Sequence, residues 1–241
     1  MRVKRRVYRL RFLNASNARI YRLMLGDGRV MHQIAGDAGL LPRPRKRRAI
    51  TLAPAERAEV LVDFRRFRPG TKLVLRNLLG EASTAAVMRF DVVRAKGGER
   101  DRIPKRLRQG ERMPAPARSR DFSPDLQTSP TLEWQINGKG FDNDRVDEQP
   151  RLGTAEIWRF VNDTEHAHPM HLQGCHFRVV SVNGRRPHLG DRGWKGTVNV
   201  APGQTVVVQP YFKQFGGRYA FHCHTAEHSD VSMMGLMEIV S

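Results

Sequence analysis

The sequence has few cysteines and no long apolar run. Its 241 residues contain two cysteines, Cys175 and Cys223, so a disulfide-rich scaffold is excluded and at most one disulfide is available. No apolar run is long enough to span a membrane, and the basic start of the chain lacks the apolar segment of a secretory signal peptide. Long helical patterns are also missing, which leaves an all-β protein as the expected fold class.

Acidic residues are scarce relative to basic ones. The chain has 42 Lys and Arg against 24 Asp and Glu, a formal net charge of +18, with basic clusters at 43–48 and 65–68. Such a charge attracts nucleic acid non-specifically, which makes a basic nucleic-acid-binding protein a remote alternative. Neither a nucleic-acid-binding motif nor a pattern of stacking aromatics accompanies it. The charge therefore predicts attraction to anionic substrates or surfaces, and no specific nucleic-acid partner.

Short alternating runs such as VYRLRFL, AEVLVDF and TVVVQP are separated by Gly, Pro and Asn. This pattern is typical of short antiparallel strands in all-β barrels or sandwiches. The length suits two domains of ordinary size. We predict a first domain at 1–95, a charged and proline-rich linker at 96–125, and a second domain at 126–241.

Histidine is nearly absent from the first two thirds of the chain, and eight of the nine histidines lie between residues 166 and 228. The most informative run is YAFHCHTAEHSDVSMMG, which contains His222, Cys223 and His224. Its apolar flanks predict a β-strand, in which neighbouring side chains point to opposite faces. Cys223 is therefore expected on one face and both histidines on the other.

One thiolate, two imidazoles and a weak thioether make up the ligand set of a blue-copper site. Cys223, His228 and Met233 offer three of these four ligands, and His168 in the run HPMH offers the second imidazole. The imidazoles on the other face, joined by His171, are candidates for a second metal group. The strand would then link two copper sites covalently.

These clusters resemble the carboxy-terminal half of the multicopper oxidases, the family of laccases, bilirubin oxidases and bacterial cuprous oxidases. The pattern HPMHLxG is followed about 50 residues later by HCHxxxHxxxxM. Further segments that resemble the family are 134–142, 152–162 and 193–208, and segments that resemble its middle domain are 8–23, 36–41 and 52–64. The resemblance implies two cupredoxin-like Greek-key barrel or sandwich domains, of which the first lacks its opening strands.

The resemblance also implies copper as the cofactor and a role for each residue of the clusters. The type 1 copper ligands would be His168, Cys223, His228 and, in the axial position, Met233. The type 2 ligand would be His171, and the type 3 ligands would be His222 and His224. In the family, a reducing substrate gives electrons one at a time to type 1 copper. The Cys-His link passes them to a trinuclear cluster, which reduces dioxygen to water.

Two departures from the family pattern predict an incomplete trinuclear cluster. The family has a histidine where this chain has Gln173, a neutral amide in place of an imidazole. A complete cluster also takes two HxH pairs from the family's first domain, and before residue 166 this chain has one histidine, His32. The missing ligands would come from an upstream domain or another copy. Family members are usually periplasmic or extracellular, so either the start of this sequence is wrong or a leader and the first domain lie upstream, and the compartment stays open.

Three functions are open to this sequence. The first is a multicopper oxidase that oxidises a phenol-like substrate or a metal ion with O2 and is impaired without its missing domain. The second is a blue-copper electron-transfer module, and the third is a cupredoxin scaffold without a copper role. Gln173 favours the third, whereas the full set of type 1 ligands opposes it. Residues expected to be structural are His166, His176, His188, Met170, Met234, Met237 and Cys175.

Overall fold

The computed structural model describes residues 1–94, 101–128 and 132–241. The chain divides into two compact units. Unit 1 comprises Met1–Ala15 and Arg19–Gly110, and unit 2 comprises Ser16–Ala18 and Glu111–Ser241. Strands dominate the described part of both units, so the predicted all-β fold class is confirmed.

Unit 1 contains nine strands in its described residues. They are β1 (Arg2–Lys4), β2 (Val7–Leu13), β3 (Tyr21–Leu25), β4 (Met31–Gly36), β5 (Gly39–Arg47), β6 (Ala49–Leu52), β7 (Arg57–Asp63), β8 (Lys72–Asn77) and β9 (Ala86–Val93). One sheet has the order β1-β9-β8-β3-β6 and the other has the order β2-β7-β4-β5. Two 3₁₀ turns, Phe64–Arg66 and Ala82–Thr84, complete the unit.

The alternation along β7 shows why unit 1 folds as two sheets around one core. Ala58, Val60 and Val62 are buried while the residues between them are partly exposed. This two-residue period places one face of the strand against the core. Phe64 and Phe90 lie in the same cluster with their ring centroids 5.2 Å apart.

Unit 2 contains ten strands and one short helix in its described residues. They are β10 (Pro116–Phe122), β11 (Pro124–Gln127), β12 (Glu133–Ile136), β13 (Ala155–Asn162), β14 (His168–Leu172), β15 (His176–Val182), β16 (Thr197–Val200), β17 (Gln204–Tyr211), β18 (Gly217–Cys223), α1 (Ala226–Ser229) and β19 (Met234–Ile239), with a 3₁₀ turn at Leu189–Asp191. Two four-stranded sheets have the orders β10-β13-β17-β15 and β16-β14-β18-β19, and β11 pairs with β12.

Aromatic side chains fill the space between the two larger sheets of unit 2. Phe122 of β10 contacts Trp158 of β13 and Phe221 of β18, with ring centroids 4.5 Å and 5.2 Å away. All three side chains are buried. Because buried aromatic side chains remove large apolar areas from water, this contact holds β18 firmly against the opposite sheet.

The structure differs from the predicted linker at 96–125. Residues 95–100 lie outside the described part, but β10 at Pro116–Phe122 is a paired strand within the predicted linker. The charged residues of β10 suggest an exposed linker, but Arg120 is buried. It donates to Glu156 over 2.6 Å and also to Glu148. A buried arginine with two carboxylate partners behaves as part of the core, which the sequence pattern does not reveal.

None of the described helices is long and apolar enough to cross a membrane.

Candidate metal centre

Strands β14 and β18 run antiparallel and bring the two histidine clusters together. Met170 lies opposite Cys223, and His171 lies opposite His222. Met170 and Cys223 are fully buried, whereas His171 and His222 are partly exposed. The pleat therefore puts a thiol in the core and two imidazoles on the other side of the same strand pair, as strand alternation predicts.

Three donor side chains converge on the buried side. His168, Cys223 and His228 have ligand atoms within 4.8 Å of one another, and all three are buried. The Cys223 Sγ atom lies 3.8 Å from Nδ1 of His168 and 3.6 Å from Nδ1 of His228, and the two Nδ1 atoms are 3.2 Å apart. A trigonal site with bonds of about 2.0–2.3 Å separates its ligand atoms by about 3.5–3.8 Å. The donors therefore have the spacing of ligands around one metal ion.

Met233 is tied to this cluster through its backbone. Its N–H donates to the carbonyl of His228 over 3.0 Å, and its carbonyl accepts from the N–H of Cys223 over 3.1 Å. The Met233 side chain is fully buried in the apolar cluster that also contains Cys223. Helix α1 sets this geometry, because its single turn brings His228 back towards β18 before the chain enters β19.

Burial controls the protonation of the three donors. It lowers the pKa of His168 to about 3 and that of His228 to about 4, and it raises the pKa of the Cys223 thiol to about 11. The backbone N–H of Thr225, 3.4 Å from Sγ, opposes part of the rise at Cys223. At neutral pH both imidazoles are neutral and offer a lone pair. A metal ion would displace one proton, that of the thiol.

Two polar side chains that the sequence pattern does not indicate orient His168. The Thr164 hydroxyl lies 2.8 Å from Oδ1 of Asn162 and 2.9 Å from Nε2 of His168. Asn162 is fully buried at the end of β13, and its amide donates to the carbonyls of His166 and Val200. If the hydroxyl donates to Asn162, it accepts from Nε2 of His168, so the lone pair of the imidazole sits on Nδ1. That nitrogen is the one facing Cys223.

Trp134 covers the buried cluster. Its ring is tilted by 30° against the His228 imidazole at a centroid distance of 4.4 Å, and it meets His168 edge-on at 4.9 Å. The exposed His166 lies 5.3 Å from the same indole. A large aromatic ring excludes water from the two imidazoles, which is part of the reason that their pKa values are low. Trp134 lies in the segment 134–142 that resembles the family, but the sequence pattern indicates no role for it.

Three imidazoles gather on the other side of the strand pair. The ring centroids of His171, His222 and His224 are 5.3–5.6 Å apart, and all three residues are partly exposed. Nδ1 of His171 lies 2.7 Å from the Gly196 carbonyl, and Nδ1 of His222 lies 2.7 Å from the Cys223 carbonyl. Each Nδ1 therefore carries the proton, which leaves Nε2 of both rings as the metal-binding atom.

The remaining predicted residues take simpler positions. Gln173 is exposed just after β14, and His32 lies in unit 1 on β4. Cys175 is buried and free, and Met170 and Met237 are fully buried in the core. Among the described residues, His168, Cys223 and His228 form a triad, the one group of at least three His, Cys, Asp or Glu side chains whose ligand atoms lie close enough for a single metal ion.

Comparison with known proteins agrees with this geometry. The sequence profile described as multicopper oxidase matches residues 113–240. A laccase from Bacillus stratosphericus is 34% identical over an alignment of 273 residues, which covers 100% of this chain and 52% of that protein. The chain belongs to the multicopper oxidase family. The resemblance predicted from the sequence is thereby confirmed, and copper is the cofactor that this family uses.

Two further relatives of this family member extend the comparison. The crystal structure of the McoA multicopper oxidase from Aquifex aeolicus matches with a TM-score of 0.90 at 31% identity, over 100% of this chain and 57% of that one. This confirms the cupredoxin-like fold. The cell division protein FtsP of Escherichia coli (strain K12) is 34% identical over 97% of this chain and 51% of its own length. The chain spans about half the length of the curated relatives it matches.

Proposed function

We propose that this chain is a copper-binding part of a multicopper oxidase, in which the buried cluster is a type 1 copper site. Its ligands are His168, Cys223 and His228, with Met233 as the weak axial ligand. The observation that carries the proposal is the convergence of one thiol and two imidazoles, with 3.2–3.8 Å between their donor atoms, in a buried site. A soft sulfur with two imidazoles suits copper better than hard cations such as Mg²⁺ or Ca²⁺.

Copper bound by this donor set supplies one-electron chemistry. The residues of the chain prepare the site for it. Trp134 excludes water, the Thr164 hydroxyl lies 2.9 Å from Nε2 of His168, and the N–H of Thr225 points at the Cys223 sulfur. Such fixed partners keep the donors in place during a change of charge, so little reorganisation is needed.

Cys223 is bonded through the backbone to His222 and His224, which lie on the half-buried side. We propose that this direct link carries electrons from the buried cluster to the imidazole group of His171, His222 and His224. These three imidazoles supply part of a type 2 and type 3 site, whose other ligands come from a further domain or another copy. The reducing substrate is a phenol-like molecule or a metal ion, and O2 is the electron acceptor.

Copper binding and colour test the type 1 assignment. The copper-loaded chain should show an intense blue absorption band that Cys223→Ser abolishes, because the band arises from the thiolate. Cys175→Ser is the matched control: this cysteine is also free and buried, yet it lies outside the triad, so the colour should persist. A colourless wild type that nevertheless binds copper would show that the buried cluster is not a type 1 site.

A second candidate function is a cupredoxin scaffold without oxidase turnover. Two observations favour it: an exposed Gln173 replaces a family histidine, and a relative named as a cell division protein is as similar to this chain as a laccase is. Copper stoichiometry separates the candidates. A full oxidase assembly should bind about four copper ions, an electron-transfer module one, and a scaffold none.

A further inference from the structure

Unit 1 contains two adjoining cavities that the copper chemistry does not use. Their volumes are about 540 Å³ and 470 Å³, within the range of small-molecule sites. Both are lined by Asp27, Arg29, Arg66 and Phe67, so these residues form the boundary between them. None of the proposed copper ligands belongs to unit 1.

Basic side chains outnumber acidic ones in the walls of both cavities. The cations that line one or both are Arg29, Lys46, Arg48, Arg66, Arg68, Lys72 and Arg76. The acidic residues that line them are Asp27 and Asp63. A concave surface with this excess of one charge concentrates field lines and attracts ions of the opposite sign.

Both carboxylates are already engaged by arginines. Asp27 accepts from Nε of Arg29 over 2.8 Å, and Arg29 also lies over the Phe67 ring at 4.6 Å. Asp63 pairs with Arg65 over 2.8 Å, and this hydrogen bond lowers the pKa of the Asp63 carboxyl. In the part of the chain that the structure describes, five cavity cations have no ion pair with a carboxylate: Lys46, Arg48, Arg68, Lys72 and Arg76. Their charge is therefore available to a ligand.

His32 lies in the wall of one cavity, and its pKa is sensitive to the positive charge there. Its ring lines that cavity, and its buried Nδ1 has no hydrogen-bond partner among the described residues. The pKa of His32 is lowered by burial and further by Lys46 and Arg66. An anion bound beside these two cations would offset their effect and raise the pKa of His32.

We propose that the two cavities form a binding site for a small multivalent anion of the phosphate type, such as an oligophosphate. Guanidinium groups match the oxygens of phosphate in a two-pronged geometry, and lysine adds point charge. The cations are spread over two adjoining cavities, so a ligand with several linked phosphates engages more of them than a single phosphate does. The site is independent of the proposed copper function.

Titration with tripolyphosphate tests the site on the full, metal-free chain, because tripolyphosphate itself chelates copper. Calorimetry at constant ionic strength should show saturable binding of one equivalent, with inorganic monophosphate at least tenfold weaker. The NMR resonances of the His32 ring should move on binding, and the pKa of His32 should rise. An identical response to chloride at the same ionic strength, or binding of many equivalents without saturation, would overturn the proposal.

Charge-removing variants locate the ligand. Lys46→Gln and Lys72→Gln each neutralise one cation of a different cavity and break no ion pair seen in the described residues. Each should weaken tripolyphosphate binding by about tenfold, the effect of one charge-assisted hydrogen bond. The matched control is Arg43→Gln, which removes one exposed positive charge from the same strand as Lys46 but lines neither cavity. Equal weakening by the control, or no weakening by either cavity variant, would refute the site, provided that the variants keep the wild-type circular dichroism.

Discussion

Histidines cluster on both sides of the β14–β18 strand pair, but their donor atoms are arranged differently on the two sides. On the buried side, His168 and His228 meet Cys223 with donor atoms close enough for one metal ion. On the half-buried side, three imidazoles stand with their centroids more than 5 Å apart and leave space between them. A closed donor set can hold a metal ion by itself, whereas an open one needs further ligands. We therefore expect the buried face to hold a metal ion by itself and the half-buried face to need further ligands.

Oxygen turnover should show the largest difference between the two faces. The family uses eight imidazoles for its trinuclear cluster. The half-buried side offers three of them, from His171, His222 and His224, and Gln173 replaces another. We expect the 241-residue chain with copper to consume negligible oxygen when given phenolic or cuprous substrates, even if it is blue. Oxygen-electrode measurements on the pure monomer check this, and robust four-electron turnover there would contradict the expectation that the half-buried face needs further ligands.

A protein part that carries two HxH pairs, supplied in trans, should restore part of this turnover. In that mixture Gln173→His should raise the rate of oxygen consumption further, because it restores an imidazole two residues after His171. The same substitution without the added part should change nothing. A gain from Gln173→His in the chain alone would mean that the added ligands are not required.

Copper removal should show the next largest difference between the two faces. During dialysis against a moderate chelator, copper on the half-buried side should leave first, because its few ligands are open to solvent. Copper on the buried side should stay until the blue band fades, since Trp134 and the surrounding core restrict access. Copper content and absorbance measured together follow both losses. Simultaneous loss of all copper and colour would contradict the difference in closure.

The partners of the imidazoles should matter on the buried side more than on the other. Thr164→Val removes the hydroxyl that holds Nε2 of His168, and we expect about tenfold weaker copper binding with a weaker blue band. Thr197→Val is the matched change on the half-buried side, where the Thr197 hydroxyl lies 3.1 Å from Nδ1 of His171. It should have a smaller effect, since Nδ1 of His171 keeps the Gly196 carbonyl at 2.7 Å. Competition with a copper chelator measures both, and equal effects would contradict the predicted ranking.

The candidate donor residues could be named from the sequence because their spacing is local, and their binding of metal stays a prediction. The opposite orientation of His222 and Cys223 follows from β18 itself, which ends at Cys223 just before His224, and the HPMH run points to β14. The pairing that sets His171 opposite His222 depends on contacts across more than 50 residues, for which the family resemblance was needed.

Other parts of the site could not be read from the sequence. Thr164 and Asn162 act through hydrogen bonds that exist only when the end of β13 and the start of β14 are folded together. Trp134 comes from another strand, β12, and no spacing rule connects it to His228. Strand β10 was missed for a related reason: the charge of Arg120 indicates a linker until Glu156 is placed beside it. The omissions of Trp134 and β10 concern contacts between segments that are distant in sequence, whereas those of Thr164 and Asn162 concern the conformation of the short connection between β13 and β14.

Substitution of Met233, the proposed axial ligand, should have the smallest effect of these changes and is the most specific test of the buried site. Met233→Leu keeps the volume of a fully buried side chain, so the fold should lose less than about 1.5 kcal/mol of stability. The blue band should remain because the thiolate and both imidazoles are retained. The reduction potential should rise, because a weak thioether donor that favours the oxidised state is lost. Met237→Leu is the matched control: Met237 is also fully buried in this core, but it lies opposite Tyr219 in the pairing of β18 with β19 and is not among the proposed ligands. Spectroelectrochemical titration of the two variants decides the role of Met233, since equal potentials would show that its sulfur does not contribute to the site.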